Sequence, residues 1–172
     1  MSDAGATGPG NETVGPDLQQ IYRRGATLRA MDLSGVHASG ADLSGIDLTA
    51  SNVSRAVLCS ARLERATLFG LRAIGTDFRN AVLTYADLTG ASLTSVSLVG
   101  ADLRNTVLAG TVFLESDLSG ADLRGAYLRG AKFYKCDLNG AQLAGLNLAF
   151  ASFKACNFSG AVMDGARPPR LV

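Results

Sequence analysis

Large apolar residues stand at every fifth position from Leu28 to Met163, 28 positions in all. Leu or Phe occupies 24 of them, and Ala38, Val53, Ala73 and Met163 fill the rest. Two places before each, the chain usually sets a small residue: 15 of these 28 are Ala and seven more are Ser, Thr or Cys. The pattern is plainest in Ala41-Asp42-Leu43-Ser44-Gly45, Ala101-Asp102-Leu103-Arg104-Asn105 and Ala121-Asp122-Leu123-Arg124-Gly125. A period of five matches neither the 3.6 of a helix nor the 2.0 of a strand, so the chain must change direction once per unit. With four units to a turn, the 28 units make seven stacked four-sided coils, an all-β solenoid of parallel strands. At roughly 4.8 Å per coil such a rod is about 34 Å long.

Residues twenty apart then share a side, and each side has its own character. Leu43, Leu63, Leu83, Leu103, Leu123 and Leu143 form one core column with Met163, and Ala precedes each of them by two places. A second column is Leu throughout, from Leu28 and Leu48 to Leu128 and Leu148. A third sets Phe113, Phe133 and Phe153 on successive coils, where stacked rings are favourable. Two exchanges support a filled tube, because dense interiors conserve volume. In Leu71-Arg72-Ala73 and in Val36-His37-Ala38 the large residue takes the small position and Ala takes the centre.

The ends need covers, since a stacked tube exposes apolar side chains and unpaired backbone there. Residues 1–14, rich in Gly, Ser, Thr and Asp, read as a disordered tail. Residues 15–25 read as a short capping helix: Pro16 suits its first position, Asp17 its first turn, Arg23 and Arg24 its last, and Gly25 its stop. The solenoid spans 26–165. The tail 166–172 carries Pro168-Pro169, which prevents a continuous helix. Leu171 and Val172 either fold over this end or leave it to a second copy, as a homodimer through the C-terminal end.

Composition removes several functional classes. Lys and Arg total 16 against 15 Asp and Glu, and residues 26–165 hold 12 of each sign, so charge gives no general pull toward nucleic acid. No apolar run reaches the length of a membrane span and no secretory signal is evident, so a cytoplasmic address is expected. His37 is the sole histidine and Trp is absent, leaving no metal cluster, cofactor loop or catalytic constellation. Nine Asp residues directly precede a central residue: Asp32, Asp42, Asp47, Asp77, Asp87, Asp102, Asp117, Asp122 and Asp137. Their expected role is local backbone hydrogen bonding and solubility, because a convex rod offers no cleft for paired-carboxylate chemistry. Cys136 and Cys156, twenty apart, read as reduced core filler, although their spacing falls within disulfide range. Cys59 is predicted to face outward and alone. The candidate interaction surface is the outer side of the Phe column, with Arg55, Arg72, Lys132, Tyr134, Lys135 and Lys154, beside Val112 and Leu114 and the acids Asp32 and Glu115.

The repeated Ala-Asp-Leu units resemble the pentapeptide repeat family, whose pattern is roughly Ala, then Asp or Asn, then Leu, then two free positions. The resemblance covers about four fifths of the chain. It implies a right-handed quadrilateral parallel β-helix, without protruding loops because no insertion breaks the register. It also implies a non-catalytic protein whose partner is another protein. Several members imitate duplex DNA, bind DNA gyrase or topoisomerase IV and protect it from quinolones and other poisons. Two readings follow: a rigid protein-interaction module, or a DNA mimic directed at a topoisomerase. A mimic wants a continuous acidic face, whereas here Asp42, Glu64, Asp102, Asp122 and Asp164 alternate with Arg62, Arg65, Arg104 and Arg124.

Overall fold

The computed structural model describes residues 28–168. The capping-helix reading of 15–25, the tail reading of 1–14 and the end contacts of Leu171 and Val172 lie outside them. Every described unit but the one ending at Phe150 closes in a turn whose fifth residue has positive φ, from Ala30 at 54° to Gly165 at 68°. In most units the N–H two places before a central residue donates to the carbonyl of the preceding one. Ile46 bonds Leu43 at 3.1 Å, and Ala61 bonds Leu58 at 3.1 Å. Positive φ at the third residue of such a turn is the type II geometry that favours glycine, and fifteen of these corners are Gly.

Turning once per unit brings the chain back over itself after twenty residues. Parallel bridges join outward residues to those twenty places on, from Asp32↔Asn52 to Asn147↔Arg167, with a break between Tyr127 and Asn147. Leu43 donates to Arg62 at 2.8 Å while Arg62 donates to Ala41 at 2.9 Å, and this alternation recurs along the chain. The result is an all-β, four-sided parallel solenoid. One side extends into a sheet of five short strands, β1 Arg72–Ile74, β2 Ser92–Thr94, β3 Val112–Leu114, β4 Lys132–Tyr134 and β5 Ser152–Lys154, paired in sequence order. This is the strand side; the other three are named by their first central residue, as the Leu28, Ala38 and Leu43 sides.

The interior is a continuous apolar column. Leu28, Leu43, Leu63, Leu83, Leu103, Leu123, Leu143, Phe113 and Phe133 are buried. Phe113 and Phe133 stack with centroids 4.6 Å apart and planes 5° apart, and Phe153 continues the stack at 4.6 Å. Phe153 departs from the expected full burial: it is half-buried, because it lies near the end of the described stack, and Phe158 meets its edge at 5.3 Å. Both size exchanges are internal, with Leu71, Ala73, Val36 and Ala38 all buried.

The inward polar residues have a role that volume alone does not explain. Where the strand side turns, the corner bond is not formed at Thr76, Val96, Ser116, Cys136 or Cys156 among the described residues. The freed N–H groups of Val96, Ser116 and Cys136 are taken by the side chain one coil later. Val96 donates to Ser116 Oγ at 3.3 Å, the Ser116 N–H bonds the Cys136 sulfur, and the Cys136 N–H bonds the Cys156 sulfur. The same side chains donate to carbonyls: Ser116 to Leu114 at 3.0 Å, Cys136 to Phe113 at 3.6 Å and Cys156 to Phe133 at 3.4 Å. The two cysteines are thus rungs of a ladder that also pairs backbone groups, and all three cysteines are free thiols.

Candidate protein-interaction surface

All nine forward-placed aspartates accept the backbone N–H two residues on. The distances run from 2.9 Å, at Asp47, Asp87, Asp117 and Asp137, to 3.2 Å at Asp42. Asp32, Asp77, Asp102 and Asp122 do the same at 3.0–3.1 Å. Each carboxylate closes a turn of its own unit, which accounts for its recurrence without a reaction. These bonds favour the charged form. Hydrogen bonds from Arg79, Arg104 and Arg124 hold the carboxyls of Asp77, Asp102 and Asp122 below the usual carboxylate range, against the opposing pull of burial.

The Leu43 side is a ladder of opposite charges. Arg104 reaches Asp102 at 2.6 Å and Asp122 at 3.8 Å, Arg124 reaches Asp122 at 2.6 Å, and Arg62 reaches Glu64 at 3.2 Å. On the Ala38 side Arg79 neutralises Asp77 at 2.7 Å. Asp117 and Asp137 lie one above the other farther along that side, with no ion pair among the described residues. His37 is exposed, and Cys59, expected to stand alone, is half-buried and lies 3.1 Å from Ser39 Oγ. Among the described residues no group of three or more His, Cys, Asp or Glu could hold a metal ion.

The strand side differs in chemistry. Along the sheet the outward residues are Arg72 and Ile74, Ser92 and Thr94, Val112 and Leu114, Lys132 and Tyr134, then Ser152 and Lys154. The candidate residues divide into two groups. Arg55 and Arg72 line a shallow depression of about 350 Å³ with Asn52, Ser54 and Ile74. Lys132, Tyr134, Lys135 and Lys154 gather on β4, β5 and the following corner. The Tyr134 ring has Lys135 Nζ 5.5 Å and Lys154 Nζ 5.7 Å from its centroid, within cation–π range. Glu115 is held by Lys135 at 2.9 Å, a hydrogen bond that raises the lysine pKa. Three strand spacings, roughly 14 Å, separate β1 from β4, so the two groups are separate clusters on one side of the solenoid.

Sequence reasoning missed a feature beside the second group. Phe150 occupies a corner, yet it alone among the described corners lacks positive φ. The chain forms a 3₁₀ turn there, Leu148–Phe150, whose start is capped by Asn147 accepting the Ala149 N–H at 3.2 Å. The signal was present: Phe150 follows Gly110 and Gly130 in its column.

The pentapeptide repeat model matches in eight copies, over residues 24–65, 61–100, 97–133 and 136–167. The chain belongs to the pentapeptide repeat family. Among solved structures it is similar to a trypsin-treated variant of QnrB1, described as a plasmid-mediated fluoroquinolone resistance protein. The identity is 19%, over 81% of this chain and 89% of that one, with a TM-score of 0.58. It is also similar to HetL of the cyanobacterium Nostoc, a pentapeptide repeat protein involved in heterocyst differentiation regulation, at 24% identity over 91% and 95% with a TM-score of 0.36. A pentapeptide repeat protein from the Arabidopsis thaliana thylakoid lumen is 27% identical over 77% and 74%, with a TM-score of 0.34. Comparison with curated protein sequences finds no match. No helix among the described residues is long and apolar enough to cross a membrane.

Proposed function

We propose that the chain is a non-catalytic protein-interaction module that meets its partner through the strand side. The observation that carries this reading is the contrast between sides. On the Leu43 side Glu64, Asp102 and Asp122 are matched by arginines within the same or the next coil. On the strand side Ile74, Val112 and Tyr134 are exposed among cations that have one paired acid, Glu115, among the described residues. Exposed apolar side chains clustered with basic ones mark a recognition surface, and the backbone beneath them is a rigid ladder with little ordering entropy left to lose on binding. The test is a photo-crosslinking residue placed at position 112 on the strand side or at position 97 on the Ala38 side, in cells making the full chain. Discrete adducts from 112 and none from 97 are expected. Equal adducts at both positions, or none at either, would reject the reading.

A second reading is imitation of duplex DNA toward DNA gyrase or topoisomerase IV. It is supported by the fold shared with QnrB1 and by Asp117 and Asp137 on the Ala38 side, which have no ion pair among the described residues. The paired charges of the Leu43 side count against it, because they cancel the field a mimic needs. A gyrase supercoiling assay across a titration of the protein, with and without a quinolone, decides it. Inhibition or protection at low micromolar protein supports mimicry, and no effect by a folded sample removes it. A homodimer through the C-terminal end belongs with this reading; mass in solution before and after truncation ahead of Pro168 tests that contact.

A further inference from the structure

We infer that the strand-side partner is an acidic protein segment carrying a large apolar side chain, and that it docks around Phe150, at the corner between the Leu28 side and the strand side. The inference rests on the interaction-module reading and supplies the chemistry of the partner. Its first support is the backbone. A residue with a β-carbon is costly in the left-handed corner conformation, and twelve other non-glycine corners accept that cost. At Phe150 the chain leaves the pattern. The 3₁₀ turn presents the ring with 57% of the residue exposed, and Gly130 now donates to the Phe150 carbonyl at 2.8 Å. One coil earlier the equivalent Gly110 bonds Arg129, the residue just before the corner. The shift opens a cleft of about 230 Å³ lined by Gly130, Ala131 and Lys132 on one coil and by Ala149, Phe150 and Ser152 on the next. Its alanine walls suit an aliphatic or aromatic side chain.

The second support is charge. Around the cleft the exposed side chains are Tyr127 and Arg129 on the Leu28 side, Phe150 at the corner, and Lys132, Tyr134 and Lys154 on the strand side. Arg129, Lys132 and Lys154 have no ion pair among the described residues, and no acid stands among these six. Aromatic side chains and Arg beside a small apolar pocket are the composition of an interface hot spot. Unpaired cations around that pocket select carboxylates on the partner. Phosphate-bearing polymers are less suited, because the chain as a whole is close to neutral and the cleft itself is lined by alanine.

The test is selection of random twelve-residue peptides displayed on phage against the full chain. The winning peptides are then measured by fluorescence anisotropy on the wild type, F150G and the double variant K132E/K154E. F150G supplies the residue that the other corners favour, so it removes the ring without endangering the fold. Enriched peptides should carry Asp or Glu flanking Leu, Ile or Phe. They should weaken about tenfold or more on both variants, and bind less well as salt rises. Enrichment without acids, equal affinity for the variants, or tighter binding of a fluorescent oligothymidine than of any peptide would overturn the inference. Crosslinking from position 112 is decided separately, so a failed selection with discrete adducts would reject only the acidic partner.

Discussion

Leu71 and Ala73 have traded sizes within one unit, and both side chains are sealed inside the tube, 1% and 0% exposed. Neither residue obeys the repeat alone, yet together they keep the volume of that layer constant. Leu71→Ala should therefore leave a void costing about 2–5 kcal/mol, and Ala73→Leu should overpack the layer by about 1–3 kcal/mol. The double variant restores the ordinary order of small then large and should recover most of either loss. Urea denaturation of the four proteins measures the coupling, expected at about 1–3 kcal/mol in favour of the pair. Additive losses would show that the exchange is accidental.

The Ser116–Cys136–Cys156 ladder makes the middle rung more than filler. Cys136→Ser keeps a donor and an acceptor and should stay close to wild type. Cys136→Val fills the space but strands the Ser116 N–H, at about 1–3 kcal/mol. The thiols should also differ in reactivity. Cys136 is buried whereas Cys156 is half-buried, and the contact with Cys156 together with burial raises the Cys136 pKa. Iodoacetamide followed by mass spectrometry should therefore modify Cys156 before Cys136; the reverse order would contradict the ladder.

Corner geometry gives substitutions of opposite sign. Ala50 sits at φ 58° on the surface, so Ala50→Gly removes left-handed strain and should stabilise by up to about 1 kcal/mol after the extra entropy of glycine. Gly100→Ala should destabilise, since a β-carbon there keeps φ +65° and meets Asn80 Oδ1 at 2.7 Å. Melting temperatures of the two variants on either side of wild type are the expected result.

Acid should weaken the tube below about pH 4. The carboxyls of Asp77, Asp102 and Asp122 are lowered from 3.8 by hydrogen bonds from their arginines, and that of Glu64 is lowered from 4.5 first by Ser44 and then by Arg62. A depressed folded-state pKa contributes stability that is complete above the unfolded value and is lost as pH falls through the folded one. Denaturant midpoints should thus be level from pH 7 to 5 and fall below 4, with a shallower fall in Asp102→Asn. A midpoint unchanged down to pH 2 would contradict this.

Much of the fold is legible in the chain because a five-residue period admits few solutions and twenty-residue spacing sorts residues onto sides. The Phe113–Phe133–Phe153 stack and both size exchanges follow from that spacing. The hydrogen-bonding role of the inward Ser116, Cys136 and Cys156 is not legible, since it depends on which corner leaves its N–H free, and all four corners share one sequence pattern. The candidate surface is half legible. The cations on β4 and β5 can be placed from register, but grouping them with Arg55 and Arg72 ignores the intervening strands. Phe150 reads as an ordinary free position because the pattern records residue type and not the backbone shape an aromatic ring imposes at a corner.

Each forward-placed aspartate commits its carboxylate to the turn of its own unit, so the scaffold is fastened from within single units and from neighbour to neighbour along the ladder. The remaining outward positions are therefore points on a fixed grid, spaced by one strand separation along the axis. Such a grid behaves like movable type: residues can be exchanged at its points and the recognition rewritten, while the distances between the characters stay the same.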